Sequence, residues 1–208
     1  VNFIVPHNGL FCQELGNSFF DTNILPCLLV ICMQGGLLMK DIDACLQDIA
    51  QGSMTALQQL YQELHRSIYA LLLSIVKNKS LAEDLLQETF ITVYSKAHLY
   101  VPRTNGRAWV FRIARNLAYD ALRKAKFTAQ LEMDSGDGAS LPNSRVENLD
   151  LMSALLELDE ADRQIVVLHV VAGFKHREIA DFLSLPHSTV RWRYRRALSK
   201  LAAILGGE

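Results

Sequence analysis

The chain has 208 residues, of which 50% are hydrophobic and 21% charged, which is globular composition for one or two domains and excludes a disordered chain. The net charge, 21 − 22 = −1, excludes a uniformly basic nucleic-acid coat but not local basic patches. Four cysteines are too sparse for a disulfide scaffold.

Residues 1–38 stand apart. They hold Glu14 and Asp21, no Lys or Arg, and three of the cysteines, Cys12, Cys27 and Cys32. The apolar stretch from Ile24 to Met33 is too short to span a bilayer, is interrupted by Pro26, and lacks the basic flank of a signal peptide. The cysteine spacings lack the paired look of a zinc site. Gln34-Gly35-Gly36 can be encoded by a purine run like a bacterial ribosome-binding site, two codons before Met39. Met39 is therefore read as the natural start and 1–38 as upstream sequence translated in frame. The competing reading is a real extension or a weak membrane-surface segment. A chain starting at Met39 is expected to match the longer one in solubility and activity.

From Met39 the periodicity predicts helices throughout, with Gly and Pro between them. The first covers about residues 42–51. The second covers 54–76, with Leu57, Leu60, Tyr61, Leu64, Ile68, Leu71, Leu72 and Ile75 at helical spacing. The third opens on Ser80-Leu81-Ala82-Glu83, which has the form of a capping box, and runs to about 97. A loop with Pro102 and Gly106 precedes a fourth helix over about 107–126. From Ala129 to Asp162 there are nine acidic residues and one basic residue, Arg145. The Ser, Gly, Pro and Asn runs within that stretch read as a flexible linker. Asp159 can cap a helix over about 160–172 that stops at Gly173, and two more follow near 176–184 and 188–205. The fold class is all-α: two small helical domains joined by an acidic linker, with boundaries at 39–127, 128–146 and 147–208.

Charge is concentrated locally. Seven basic residues between Arg103 and Lys126 face one acid, Asp120; seven between Lys175 and Lys200 face two, Glu178 and Asp181. Two such patches are the footprint of a long polyanion. On a helical wheel Arg112, Arg115, Asn116, Tyr119 and Arg123 form one stripe, opposite Ile113, Ala114, Leu117, Ala118, Ala121 and Leu122. Cations suit phosphates; aromatics and amides suit exposed bases. The preceding loop adds Tyr100, Arg103, Thr104, Asn105 and Arg107, while Trp109 sits at the border between the stripe and the core.

The last two helices have helix-turn-helix form. Glu178-Ile179-Ala180 and Phe182-Leu183 make a short first helix, Ser184-Leu185-Pro186-His187 the turn, and Ser188 can cap the second. Val190, Tyr194, Ala197, Leu198 and Leu201 cluster inward; Ser188, Trp192, Arg195, Arg196 and Ser199 point outward, as a recognition helix requires.

Three motifs carry a family resemblance. Ala82-Glu83-Asp84-Leu85-Leu86-Gln87-Glu88-Thr89-Phe90 is similar to the region 2.2 signature of bacterial sigma-70-family RNA polymerase sigma factors of the extracytoplasmic function (ECF) type. Residues Trp109 to Ala118 resemble the region 2.3–2.4 signature, and Glu178-Ile179-Ala180 with Leu185 to Arg191 resembles region 4.2. The resemblance spans nearly all of 39–208 in the family's order; residues 1–38 have no counterpart. The sequence departs from the family at Ser188, often Gly, at Trp192, often small, and at His176, often aromatic.

The resemblance implies roles. Asp84, Gln87 and Glu88 correspond to the surface that docks on the β′ clamp of core polymerase. Tyr100, Arg103, Asn105, Arg107, Trp109, Arg112, Arg115, Asn116, Tyr119 and Arg123 fall in the part that reads the melted −10 element. Arg177, Ser188, Thr189, Arg191, Trp192, Arg195, Arg196 and Lys200 fall in the part that reads the −35 duplex. The expected protein is a cytoplasmic, nucleoid-associated initiation factor that uses no cofactor or metal and has no activity of its own. Its expected partners are core RNA polymerase (β′ clamp and β subunit), promoter DNA and an anti-sigma factor, without membrane insertion. The alternative is a stand-alone helix-turn-helix regulator, which leaves the 100–126 stripe without a role. A helical enzyme is disfavoured by the lack of a Glu-x-x-His pair, a phosphate loop, GxSxG or HExxH.

Overall fold

The computed structural model describes residues 41–133 and 151–205. The expectations for 1–38 and for most of the acidic linker lie outside the described residues. Every regular element among the described residues is a helix, and none is long and apolar enough to cross a membrane.

Local chemistry sets the helix starts. Helix α1, Ile42–Ala50, is capped by Asp41, whose Oδ1 accepts from the amides of Asp43 (3.1 Å) and Ala44 (3.4 Å). Helix α2, Met54–Val76, has the predicted limits: Ser53 Oγ accepts from the Ala56 amide at 3.3 Å, and Lys77 ends the helix at φ 56°. Helix α3, Lys79–Lys96, starts earlier than the Ser80 capping box would place it. Asn78 is the cap, its Oδ1 accepting from Leu81 N at 3.0 Å, which leaves Ser80 inside the first turn. A 3₁₀ turn, Ala97–Leu99, leads into the loop before α4, Gly106–Met133. That helix runs several residues past 126, where the periodicity places its end.

Helix α2 is the central rod of the first unit, packing on α1, α3 and α4. Its Leu60, Leu64, Ile68, Leu71 and Leu72 are buried together with Phe90 and Val93 of α3 and Val110 and Phe111 of α4. Each such aliphatic side chain contributes about 1.5–3 kcal/mol by leaving water.

The second unit comprises α5 (Leu151–Leu156), α6 (Glu160–Val166), α7 (His176–Leu183) and α8 (His187–Leu205). The predicted helix over 160–172 is continuous, but its end widens into a π turn, Val167–Val171, closed by Ala172 N donating to Val167 O at 3.0 Å. Gly173 then takes φ 68°, and Phe174 N returns to Leu168 O at 2.9 Å. Between α7 and α8 the turn begins at Ser184, which is left-handed (φ 56°), with Leu185 N bonded back to Ala180 O at 2.9 Å. Asp159 precedes α6 but makes no side-chain cap, because its carboxylate is drawn to Arg196 of α8.

The two units share one apolar core. Helix α6 and its π turn pack on the C-terminal half of α2, and α7 packs on α4. Phe111 and Phe174 meet edge to face across this seam, with centroids 5.0 Å apart. The seam also buries a cation: Arg163 is 1% exposed. Its Nε donates to Ser74 O (2.6 Å) and its Nη1 to Leu158 O (2.9 Å) and Leu156 O (3.3 Å). These carbonyls lie at or just past the C-terminal ends of α2 and α5, where the helical ladder leaves oxygens unpaired. One guanidinium thus closes two helix ends.

Replacing Arg163 with Met keeps the bulk but leaves those carbonyls without a donor. Each buried, unsatisfied oxygen costs about 1–3 kcal/mol, partly offset because the cation no longer needs desolvating. The variant is expected to lose about 3 kcal/mol in denaturant unfolding, with the two units melting separately. A loss below about 1 kcal/mol with one cooperative transition would show that the seam does not depend on this cation.

Candidate nucleic-acid interface

The loop from Tyr100 to Asn105 is braced from below. Asp43, in the first turn of α1, accepts three hydrogen bonds: from Tyr100 Oη to Oδ1 (2.6 Å), from Gly106 N to Oδ1 (2.8 Å) and from Arg103 N to Oδ2 (3.1 Å). The Tyr100 hydroxyl is the main reason the Asp43 carboxyl sits below its ordinary value; the Gly106 and Arg103 amides add to this against the opposing effect of burial. Asn105 caps α4, its Oδ1 accepting from Ala108 N at 3.1 Å.

This brace changes one expected reader. Tyr100 is 7% exposed, with its hydroxyl committed to Asp43 and its ring 5.4 Å from Trp109. It is a strut of the loop and not a surface for bases. Arg103, Asn105, Arg112, Asn116 and Arg123 are exposed as expected, and Arg123 pairs with Asp120 one turn away on the same helix. Trp109 is half-buried, joining the core on one side and a cleft on the other. That cleft, about 230 Å³, is lined by Thr104, Asn105, Trp109 and Arg112 from the first unit and by Glu178, Asp181 and Phe182 from α7.

The second unit covers the rest of the stripe. Arg107 lies over the Phe174 ring (5.1 Å), and burial lowers its pKa. Arg115 lies over both Tyr119 (5.0 Å) and Phe182 (5.7 Å). The Tyr119 hydroxyl donates to Glu160 (2.5 Å) and accepts from Gln164 Nε2 (2.8 Å), and burial raises its pKa. Asn105 Nδ2 donates to Glu178 Oε1 at 3.3 Å. The wheel separates polar from apolar on α4, but it could not foresee a second helical layer over part of the polar side.

On α8, Ser188, Arg191, Trp192 and Arg195 are exposed, with Trp192 at 56%; Thr189 is half-buried, and Arg177 is exposed on α7. Arg196, expected outward, is half-exposed and is also engaged by acids of α6 and its cap. Its Nε and Nη2 donate to Asp162 Oδ2 at 3.0 and 2.5 Å, and its Nη2 also donates to Asp159 at 2.6 Å. Asp162 is fully buried and takes a further bond from Arg193 Nη1 at 2.9 Å. The Arg196 guanidinium still lies 4.8 Å from the Trp192 ring and so props that indole outward. Lys200 Nζ is 3.9 Å from Asp159, at the margin of an ion pair.

On α3, Asp84, Gln87 and Glu88 are exposed together. Ile91, 68% exposed, and Tyr94 continue the same stripe at helical spacing. Sequence reasoning missed these two because an apolar residue in an amphipathic helix reads as core. It also missed Asp43, whose partners lie about sixty residues away, and Asp162, for which the only signal is a polar run opening an apolar helix.

The chain is similar to known proteins in sequence and in fold. The sequence matches the family model Sigma-70 region 2 over residues 60–128 and Sigma-70, region 4 over residues 148–201. The ECF RNA polymerase sigma factor RpoE of Cereibacter sphaeroides is 32% identical over 152 residues, spanning 70% of this chain and 84% of the relative. SigX of Bacillus subtilis is 30% identical over 156 residues, spanning 69% and 80%. The structure of CnrH in complex with the cytosolic domain of CnrY is similar with a TM-score of 0.59 at 26% identity, covering 80% of this chain and 97% of that one; CnrH is a sigma factor of Cupriavidus metallidurans.

One titrating group sits at the joint beneath α8. The His176 ring stacks on His169 (4.2 Å) and meets Tyr194 edge-on (4.9 Å), and its Nε2 is buried without a hydrogen-bond partner among the described residues. Burial first, then His169, His187 and Arg191, push its pKa below the ordinary value of 6.5. The unfolded chain therefore takes up this proton more readily than the folded one. Its contribution to stability is complete above about pH 7 and is lost as pH falls through the depressed folded pKa. Chemical denaturation between about pH 7 and pH 5 is expected to show a smaller acid-induced drop for His176→Gln than for the native chain.

Proposed function

Because the chain belongs to the sigma-70 family of RNA polymerase sigma factors, in its ECF group, we propose that its two helical units read the two elements of a promoter. A sigma factor directs core polymerase to promoters and performs no catalysis of its own. In this reading α8 enters the major groove of the −35 duplex with Arg191, Trp192 and Arg195 at the bases and Ser188, Thr189, Arg177 and Lys200 near the backbone. The loop before α4, with Arg103, Asn105, Trp109, Arg112 and Asn116, takes bases of the melted −10 strand. The stripe of Asp84, Gln87, Glu88, Ile91 and Tyr94 docks on the β′ clamp, its apolar members filling a groove and its acids meeting cations.

The observation that carries this reading is the cleft of Thr104, Asn105, Trp109 and Arg112. It combines an amide, an indole and a cation at the mouth of a braced loop. A stand-alone regulator has no use for such a cleft. Glu178 and Asp181 of α7 line the same cleft, so an entering strand has to displace them, and the two units separate when promoter DNA is bound. CnrH was solved with the cytosolic domain of CnrY, and the RpoE of Bartonella quintana with the anti-sigma factor NepR. By analogy, an anti-sigma protein regulates this chain. The site of action is the cytoplasm, where polymerase and nucleoid meet.

Run-off transcription with core polymerase tests the division. The native chain is expected to give discrete transcripts, and Gln87→Ala with Glu88→Lys to abolish them without loss of helix content. Arg195→Ala is expected to lose about 1–3 kcal/mol of discrimination at one or two −35 base pairs. Discrete binding to duplex DNA by the chain alone, with no stimulation of core polymerase, would overturn this reading.

A further inference from the structure

The loop that presents the −10 cleft has an unusual backbone. Arg103 (φ 68°) and Asn105 (φ 71°) both adopt left-handed conformations without being glycine. For residues with a Cβ this conformation costs roughly 1–2 kcal/mol each, so the surroundings must hold it in place. Inside the loop, Thr104 Oγ1 donates to Val101 O at 2.6 Å, which does not tie the loop to the helices. Asn105 fastens the far end of the loop to α4 through Ala108 N at 3.1 Å, and the anchoring of the rest of the loop, to α1, comes from Asp43.

Three features make Asp43 suited to this. Asp41 already caps α1, so the Asp43 carboxylate is not needed by its own helix. Its three donors come from the start, the apex and the end of the loop: Tyr100, Arg103 and Gly106. Gly106 also leaves room for it: a Cβ there would lie 2.6 Å from Asp43 Oδ1 and 2.8 Å from Leu46 Cδ1. Only glycine lets the carboxylate sit against the first amide of α4, where the helix's free N–H groups favour a negative charge.

We infer that Asp43 is a positioning residue for −10 recognition: its carboxylate locks the loop and the first turn of α4 in the shape that receives the melted strand. It touches no DNA. It removes the ordering cost the loop would otherwise incur on binding, and that gain appears as affinity and base discrimination. This rests on the −10 reading given above for the cleft. An asparagine at position 43 keeps the size but turns an NH₂ toward one of the donors. The loop then loses at least one tether and gains a donor–donor contact.

The test uses the full chain assembled with core polymerase and a short single-stranded DNA pool of randomised sequence. Selection with the native assembly is expected to enrich a motif, and the enriched oligonucleotide and a scrambled version then serve as probes. Asp43→Asn is expected to lower the matched-to-scrambled affinity ratio on the order of tenfold, the loss of one charge-assisted bond. Binding to core polymerase and the temperature dependence of helix content are expected to change little. Gly106→Ala, which pushes the carboxylate away, should reproduce the loss, and Tyr100→Phe, which removes one bond of three, should give part of it. A destabilised but correctly shaped loop would leave the ratio unchanged well below the melting temperature, so the ratio separates positioning from stability. If the native assembly enriches a motif and both Asp43→Asn and Gly106→Ala keep the full ratio, the role of Asp43 is overturned. If the native assembly shows no preference at all, the −10 reading fails, and the role of Asp43 with it.

Discussion

Three consecutive polar residues on α6 hold the molecule's arrangement. Asp162, Arg163 and Gln164 are 0%, 1% and 2% exposed, within a helix whose following residues are apolar and buried. Successive side chains on a helix diverge by about 100°, so three neighbours reach in three directions. Asp162 gathers Arg193 and Arg196 of α8, Arg163 closes the ends of α2 and α5, and Gln164 bonds Tyr119 of α4. Buried polar groups tolerate few alternatives, since each displaced partner leaves an unsatisfied atom out of reach of water. The apolar core would allow the two units to slide; these bonds do not.

That constraint sorts the cations. Fourteen basic residues in two runs look equivalent in the sequence, yet they divide into structural and free. Arg193 and Arg196 serve Asp162, and Arg163, between the two runs, serves the carbonyls. Arg191, Trp192 and Arg195 are left exposed on one face of α8. On α4, Arg107 and Arg115 lie over aromatic rings of the second unit, while Arg112, Asn116 and Arg123 remain exposed. The surface offered to a nucleic acid is therefore narrower and more directional than the charge count implies.

Rigidity and access pull in opposite directions at the cleft beside the first turn of α4. Asp43 stiffens the loop from inside, while Glu178 and Asp181 line the same space from α7. In the proposed reading, the carboxylates beside Asn105 and Arg112 occupy the place a phosphate backbone would take, and closing the two units then competes with binding a strand.

The local grammar was legible in the sequence. The limits of α2 follow from Ser53, the apolar spacing and the residues after Val76; Gly173 ends the α6 run as expected, and the helix-turn-helix turn begins at Ser184 as expected but ends one residue early, since α8 starts at His187 and leaves Ser188 inside its first turn instead of at the cap. These depend on neighbours within a few residues, where backbone hydrogen bonding and side-chain period decide the outcome. Even there, two caps competed for α3, and Asn78 prevailed over Ser80. The site was half legible: the exposed positions Arg112, Asn116, Trp192 and Arg195 came from periodicity, whereas Asp84, Gln87, Glu88 and Arg191 came from the family resemblance. What the tertiary structure decided is where a polar side chain finds its partner. Arg196 lies on the outward side of its own wheel and turns to Asp162, and Tyr100 reads as a loop aromatic and is spent on Asp43. A helical wheel states the direction of a side chain about its own axis. The charge or carbonyl it meets there belongs to residues tens of positions away, brought close only by the packing of the core.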